Sequence, residues 1–288
     1  MHPQPLADPE LGRLDDVVDL DRHPIHRPGS RPLQAMVDDV RAHLADDGAV
    51  SLPGFLHAST VDALAAELGG LRPWVAVTTD HRDPYAREPR DGHGLPTSAW
   101  TAGHITRDML PPHSIGQRLY VAPGFKSFIA ACLERDRIFE YADPLAGLVA
   151  TVLPPGGCYG WHYDTNAFVV TLSVQAPERG GDFEYVPQLR RPGDENLDGL
   201  CRVLQGDRAE VRTISSTPGN LQLFLGRYSL HRVTEVAGAT DRLTLVLSYA
   251  DRPGVIGPIE RTRKVYGRVT EAHLVAGGAY AGADGLIP

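Results

Sequence analysis

A histidine and an aspartate two residues apart, His162 and Asp164, are the strongest candidates for chemistry in this 288-residue chain. Side chains alternate along an extended segment, so both groups project from the same side if this stretch is extended. Three glycines come shortly before the pair, and the apolar run from Phe168 to Val174 follows it. The pattern predicts an imidazole and a carboxylate held together at the edge of a buried strand.

A second histidine, His231, lies on another apolar run, residues 224–233, after the turn signal Pro218-Gly219-Asn220. Two histidines and one carboxylate can bind one face of a metal and leave positions open, as in non-haem iron(II) oxygenases. Taken alone, each histidine is better interpreted as a core residue satisfied by hydrogen bonds, with Asp164 capping a turn. The order and context of the three residues favour a metal site over that interpretation.

An arginine, Arg242, opens a further apolar strand eleven residues after His231. Its planar guanidinium can bind a carboxylate through two hydrogen bonds, which a lysine does less specifically. If the strands of His231 and Arg242 form a hairpin, this guanidinium lies a few ångströms behind the metal. The sequence therefore predicts an anion anchor beside the metal site.

Composition narrows the class of protein. The net charge of −8 and the pI near 5.8 argue against a general binder of nucleic acids or of anionic membranes. The three cysteines are odd in number and widely spaced, which fits neither a disulfide framework nor a zinc site. With no signal segment and no membrane-length apolar run, we expect a cytoplasmic protein.

The remaining chain predicts elements that cover the site. Residues 1–32 read as an irregular arm, and residues 33–288 as one domain. Within that domain we expect helical cover and a pocket loop over 33–140, a β-rich core over 145–250 and a C-terminal extension over 251–288. Helical spacing over 33–44, 59–71 and 114–133, and short strands separated by turns over 145–249, predict a mainly β fold with helical cover.

The polar stretch from Arg72 to Pro112 shows no clear periodicity, and we interpret it as a long loop. Loops of this length in compact domains are usually functional or disordered. It contains Trp100, which favours a functional loop that partly lines a substrate pocket. Residues 187–210 are interpreted as a second polar excursion.

The segments GWHYDTNAFVVTLSVQAPERGGDFEYVP and TPGNLQLFLGRYSLHRVTEVAGATDRLTLVLSY resemble the iron(II)/2-oxoglutarate-dependent dioxygenase superfamily. They are similar to a bacterial subgroup that contains free amino acid hydroxylases and radical halogenases. The resemblance covers residues 145–250 well and 33–70 more loosely. It implies a double-stranded β-helix core, also called a jelly-roll or cupin-like core.

The resemblance also implies roles for individual residues. His162, Asp164 and His231 would be the ligands of iron(II), with 2-oxoglutarate and dioxygen as cosubstrates. Arg242 would bind the distal carboxylate of 2-oxoglutarate, with Thr244 and Ser248 of the same strand as secondary candidates. Candidate substrate contacts are Thr165, Asn166, Trp100, Asp251 and Arg252.

In the halogenases of that subgroup, glycine or alanine replaces the carboxylate ligand and leaves a site for chloride. This chain keeps Asp164, which favours hydroxylation of an sp³ carbon, with succinate and carbon dioxide as co-products. The expected substrate is a free amino acid or a derivative, and a carrier-bound aminoacyl group is equally compatible. Desaturation, cyclisation and a non-enzymatic metal- or ligand-binding role on the same scaffold stay open, as does the oligomeric state.

Overall fold

The computed structural model describes residues 14–85, 94–276 and Leu286. The helices are α1 (Arg31–Asp47), α2 (Ala58–Leu71), α3 (Ile115–Val121), α4 (Pro123–Cys132), α5 (Leu197–Leu204), α6 (Ile259–Tyr266) and α7 (Glu271–Ala276). The strands are β1 (Ala49–Leu52), β2 (Thr78–Arg82), β3 (Ser98–Thr106), β4 (Phe139–Glu140), β5 (Leu148–Leu153), β6 (Cys158–His162), β7 (Val169–Gln175), β8 (Arg179–Gly180), β9 (Phe183–Val186), β10 (Arg212–Ile214), β11 (Leu221–Phe224), β12 (Leu230–Val233), β13 (Val236–Ala237), β14 (Arg242–Leu247) and β15 (Tyr249–Ala250). Among these described elements, no helix is both long and apolar enough to cross a membrane.

One curled antiparallel sheet dominates the described part of the chain, in the order β1-β11-β7-β14-β5-β3-β6-β12-β9-β10, with β2 added beside β3. Strand β3 joins the two halves of this sheet. Its C-terminal half, from Gly103, pairs with β5, whereas Trp100 and Thr101 pair with β6. The sheet thus bends along one strand, and strands distant in sequence face each other across its interior.

Alternation along the strands sorts apolar from polar side chains. On β14, Leu243, Leu245 and Leu247 belong to the main hydrophobic core, together with Val40 of α1 and Leu64 of α2. Successive side chains of a strand point to opposite faces, so the residues between these leucines face the interior of the curled sheet. Helical packing therefore buries one face, while the other is left for polar groups.

Three local features differ from the sequence-based expectations. The stretch 72–112 is not only a loop, because it contains β2 and β3, although residues 86–93 lie outside the described part. The helix expected over 114–133 is divided at Pro123, whose ring removes a backbone donor and starts α4. The excursion over 187–210 contains α5, whose first turn is capped by the side chain of Asn196.

The strands of His231 and Arg242 do not form the hairpin that was considered from the sequence. Strand β12 pairs with β6 and β9, whereas β14 pairs with β5 and β7. The short strand β13 leaves the sheet between them to pair with β8. His231 and Arg242 therefore reach the interior from opposite halves of the curled sheet.

The ends of the described chain pack onto the domain. Residues 14–30 contain no helix and no strand longer than a single bridge, yet Val17 and Val18 are buried in the main core. Ser30 caps α1, with its hydroxyl accepting a hydrogen bond from the backbone of Leu33. At the other end, α6 and α7 extend the chain beyond the sheet.

Candidate functional site

Strands β6 and β12 bring the two predicted histidines together. They pair antiparallel with His231 directly opposite His162, and the centroids of the two imidazole rings are 4.0 Å apart. Both side chains are buried. The close approach of two imidazoles in the sheet interior is the geometric basis of the site.

Backbone carbonyls fix the orientation of both rings. Nδ1 of His162 lies 2.8 Å from the carbonyl oxygen of Gly160, and Nδ1 of His231 lies 2.9 Å from that of Ser229. Because a carbonyl oxygen only accepts hydrogen bonds, Nδ1 of each ring carries the proton. The Nε2 atoms therefore present lone pairs, the form in which imidazole binds a metal.

The carboxylate of Asp164 completes the cluster just beyond the end of β6. Its Oδ2 lies 3.5 Å from Nε2 of His231, and its Oδ1 lies 3.9 Å from Nε2 of His162. One ligand atom from each of the three residues lies within 4.8 Å of the others, so one metal ion could contact all three. The backbone N–H of Asp164 donates to the carbonyl of Gly226 and anchors the carboxylate-bearing turn.

The protonation states of the cluster suit a cation. Burial, and secondarily the neighbouring His231, lowers the pKa of His162 to about 3, so this ring is neutral near pH 7. Burial alone would raise the pKa of Asp164, but the neighbouring imidazoles, His231 more than His162, outweigh burial and lower it to about 2. Imidazole nitrogens together with one carboxylate are a donor set that suits a divalent transition metal.

Glycine at position 226 provides the space that the Asp164 carboxylate occupies. A Cβ atom added at Gly226 would overlap Oδ2 of Asp164. We expect Gly226→Ala to displace the carboxylate and to weaken metal binding by roughly tenfold to a hundredfold, as perturbing a ligand's surroundings usually does. Metal content after dialysis would measure this loss, with Gly70→Ala, which adds a methyl group in open space on α2, as the control.

The outcome that contradicts this account of Gly226 is retention of metal by Gly226→Ala at the level of Gly70→Ala. Thermal unfolding of both variants would verify that each is folded.

Arg242 lies in the interior on the opposite half of the sheet. It is buried, and its Nη1 donates a hydrogen bond of 2.6 Å to the hydroxyl of Thr244. Its buried Nε has no hydrogen-bond partner, and no described carboxylate forms an ion pair with it. Burial lowers its pKa to about 10, against the opposing effects of Tyr159 and Asp182, so the group is still a cation at neutral pH.

A cleft beside Arg242 and Thr244 is lined mainly by small polar side chains. They come from β1, β7, β11 and the segment before β11, and they include Ser51, Thr171, Ser173, Ser216, Asn220 and Gln222. A buried cation with an unused donor at the base of a polar cleft can bind an anion.

Ser248, which was predicted as a secondary candidate alongside Arg242 and Thr244, is buried just after β14. Its backbone N–H donates to the carbonyl of Gly147, and its carbonyl accepts from the hydroxyl of Tyr120. These contacts fix the backbone of Ser248, and neither of them involves its side-chain hydroxyl.

Trp100 packs against the metal-site candidates. Its ring centroid lies 4.4 Å from that of His162, and its buried Nε1 has no hydrogen-bond partner. The guanidinium carbon of Arg82 lies 4.8 Å from the Trp100 ring centroid. The indole therefore leaves one unused donor beside the triad.

The remaining candidate substrate contacts fall into two groups. Thr165 accepts a hydrogen bond of 2.8 Å from Nη1 of Arg261, and Asn166 accepts one of 2.7 Å from the hydroxyl of Tyr141. Both follow Asp164 directly. By contrast, Asp251 is exposed and lies 3.6 Å from Arg135, and Arg252 is also exposed, so neither belongs to the buried cluster.

Sequence reasoning missed Tyr159, which lies close to the predicted site. Simple alternation would place it on the face opposite His162, but the register between β6 and β12 shifts between these two residues. Such a bulge reverses the facing of a side chain. The Tyr159 ring accordingly lies 6.2 Å from that of His162, and its hydroxyl is 2.9 Å from Nε2 of His104.

His104 predicts an acid-sensitive contribution to stability. Burial, and secondarily the charge of Arg82, lowers its pKa to about 4, whereas an unfolded histidine titrates near 6.5. Between these values the unfolded chain binds a proton that the folded protein excludes, so stability falls as the pH decreases from about 6.5 to about 4. The full loss from this group is about 3 kcal/mol.

We expect His104→Gln to flatten the dependence of unfolding free energy on pH in that interval, as measured by urea titration. His113→Gln, at an exposed histidine, is the control. Parallel pH profiles for wild type and His104→Gln would contradict this assignment.

The family model of halogenase D matches residues 33–264 of the chain. No curated protein matched the chain. Among solved structures, the fold is similar to a 2OG-Fe(II) oxygenase family oxidoreductase from Burkholderia pseudomallei, with 16% identity, a TM-score of 0.51 and coverage of 80% of this chain and 94% of that one.

Two proteins of nogalamycin biosynthesis share the fold as well. The carbocyclase SnoK has 13% identity and a TM-score of 0.55, covering 77% of this chain and 89% of that one. The epimerase SnoN, solved with Fe³⁺, alpha-ketoglutarate and nogalamycin RO, has 14% identity and a TM-score of 0.51, covering 76% and 84%.

At these identities the structural matches establish the fold, and they confirm the predicted jelly-roll core with helical cover. The family model spans more than half of the chain and matches the stretch that carries all the triad residues. The chain therefore belongs to the halogenase D family, within the predicted superfamily of iron(II)/2-oxoglutarate-dependent oxygenases.

Proposed function

We propose that the protein is an oxygenase in which His162, Asp164 and His231 bind iron(II). The observation that carries this proposal is the convergence of two backbone-oriented imidazoles and one carboxylate within 4.8 Å. Such a set occupies one face of the metal and leaves the other positions for a cosubstrate and dioxygen.

We further propose that Arg242 and Thr244 bind the distal carboxylate of 2-oxoglutarate. Three observations support this pairing: the burial of Arg242, its unpartnered Nε, and its bond to the Thr244 hydroxyl. A bound carboxylate would satisfy the unused guanidinium donors in a place where water is scarce. Ser248, which directly follows the strand of Arg242 and Thr244, is a secondary candidate for binding this carboxylate.

When bound, iron(II) and 2-oxoglutarate supply oxidative decarboxylation by dioxygen, with succinate and carbon dioxide as products and an oxidant for a substrate C–H bond. The chain's own residues position the reactants. The backbone carbonyls of Gly160 and Ser229 fix the imidazoles, and the side chains around the triad exclude water and hold one carbon of the substrate toward the metal. No side chain is required to act as a general base.

We propose hydroxylation of a small polar molecule, an amino acid or a derivative, as the outcome. The Asp164 carboxylate would take the metal position that a halide needs, and Gly226 leaves room for this carboxylate. This argument separates the chain from the halogenation that the family's name describes. A cytoplasmic location stays a prediction, as do the boundaries at residues 32, 140, 145 and 250.

Cyclisation or desaturation is the second candidate outcome. It is favoured by the likeness of the fold to a carbocyclase and an epimerase, SnoK and SnoN. The same oxidant can lead to each of these products, and the position of the substrate decides between them.

The test is a product screen. Protein loaded with iron(II) without oxygen receives 2-oxoglutarate, chloride and one amino acid at a time, and oxygen is then admitted. Hydroxylation predicts succinate formation stimulated by at least one compound, together with a product heavier by one oxygen atom. Chlorinated product, or no succinate above the level of His162→Ala, would refute the proposal.

A further inference from the structure

Helix α6 is fixed against the domain close to the metal-site candidates. Nζ of Lys264 lies 3.8 Å from a carboxylate oxygen of Asp80, and the ring of Tyr266 packs edge-on against that of His104 at 5.5 Å. These two contacts therefore hold α6 in a defined position against strands β2 and β3.

The segment after α6 adds two anchors. Arg268 pairs with Asp108 at 2.7 Å. Nε2 of His273 lies 3.0 Å from Oδ2 of Asp143, and the side chains of His273 and Asp143 are completely buried. The same Asp143 oxygen accepts a hydrogen bond from the backbone of Gly257, just before α6. Tethers on both sides hold the helix in place.

Arg261 of α6 differs from Lys264 and Arg268. Its Nη1 donates to the hydroxyl of Thr165, the residue after Asp164, and no described carboxylate forms an ion pair with it. Lys264 and Arg268 each have a carboxylate partner. Arg261 is also exposed, so its remaining guanidinium donors can reach a molecule that enters from solvent.

The hydrogen bond to Thr165 places the Arg261 guanidinium beside the residue that directly follows Asp164. A second unused donor, the buried Nε1 of Trp100, belongs to a ring that packs against His162.

We propose that Arg261 is a specificity-determining residue that binds a free carboxylate of the substrate. The proposal rests on the oxygenase function proposed above and goes one step further, because it decides between a free and a carrier-bound substrate. An aminoacyl group on a carrier has its carboxyl carbon in a neutral thioester, which offers no charge to a guanidinium. A cation that is held beside the triad by Thr165, and that forms no ion pair with a described carboxylate, favours the free acid.

Binding without turnover provides the test. Protein holding iron(II) and 2-oxoglutarate is titrated under nitrogen with the protein amino acids and with their carboxamides, which are neutral at the carboxyl carbon as a thioester is. We expect at least one acid to bind roughly tenfold to a hundredfold more tightly than its carboxamide. Arg261→Met should lose that preference, and Arg261→Lys should keep part of it because its charge stays but its planar fork does not.

Arg263→Met is the matched control, because Arg263 is an exposed arginine of the same helix whose side chain makes no described contact. It should keep the wild-type preference, and both methionine variants should unfold at the same temperature. A preference that survives in Arg261→Met overturns the proposal, and so does equal binding of acid and carboxamide, or no binding, by the wild type. Failure to form succinate in oxygen would instead refute the oxygenase function, while the binding preference still decides the role of Arg261.

Discussion

Asp164→Gly is expected to lower substrate-dependent succinate formation by more than about a hundredfold. Loss of a residue that merely orients a metal ligand typically costs tenfold to a hundredfold, so loss of a ligand should cost more. The carboxylate is the one anionic member of the triad, and it lies within 4 Å of Nε2 of both histidines. We expect the two imidazoles to retain part of the iron, because their orientation depends on Gly160 and Ser229 and not on Asp164.

The measurement is succinate formation together with iron content, and Asp136→Gly, at an exposed loop aspartate, controls for removal of an acid. Turnover of Asp164→Gly equal to that of Asp136→Gly would refute the assignment of Asp164 as a ligand. A complete loss of fold in Asp164→Gly would be visible as a lost thermal transition and would direct the test to Asp164→Asn.

Arg242→Met is expected to raise the KM for 2-oxoglutarate at least about thirtyfold, since truncating one partner of a buried, hydrogen-bonded charge pair costs about 2–5 kcal/mol. The structure predicts a further result in the protein without cosubstrate. Arg242 is buried, has no described carboxylate partner and leaves its Nε unsatisfied. An apolar replacement of similar length removes this desolvated charge, so the free protein should lose little or no stability.

Thermal unfolding separates the two effects. 2-Oxoglutarate should raise the unfolding temperature of the metal-loaded wild type, since it binds only the folded state, and should leave Arg242→Met nearly unchanged. A 2-oxo acid without the distal carboxylate should raise the unfolding temperature of both proteins only slightly, and by about the same amount. Arg179→Met, at an exposed arginine, is the control. An unchanged KM for 2-oxoglutarate in Arg242→Met would refute the role of this arginine.

The sequence indicated His162, Asp164 and His231 as candidates because the signals around each of them are local. His162 and Asp164 are two residues apart at the end of a strand, and His231 lies on an apolar strand of its own. Whether the two strands are neighbours is a matter of topology, and pairing of β6 with β12 gives the contact that spacing alone only suggested.

The features that the sequence did not reveal depend on long-range packing. The register shift that turns Tyr159 toward the site is set by pairing with β12, and no residue in β6 predicts this shift. Arg261 reaches Thr165 from a helix 96 residues further along the chain. Strands β2 and β3 were hidden because polar side chains such as Asp80, Arg82 and His104 obscure the alternation by which strands are recognised.

The central claim, that His162, Asp164 and His231 form the iron site of a hydroxylating oxygenase, is tested most directly by turnover in isotopically labelled dioxygen. With the amino acid that stimulates succinate formation, the account predicts one labelled oxygen atom in succinate and the other in the hydroxylated product. His162→Ala should incorporate label into neither. Labelled succinate accompanied by a chlorinated product, or label incorporation undiminished in His162→Ala, would contradict the account.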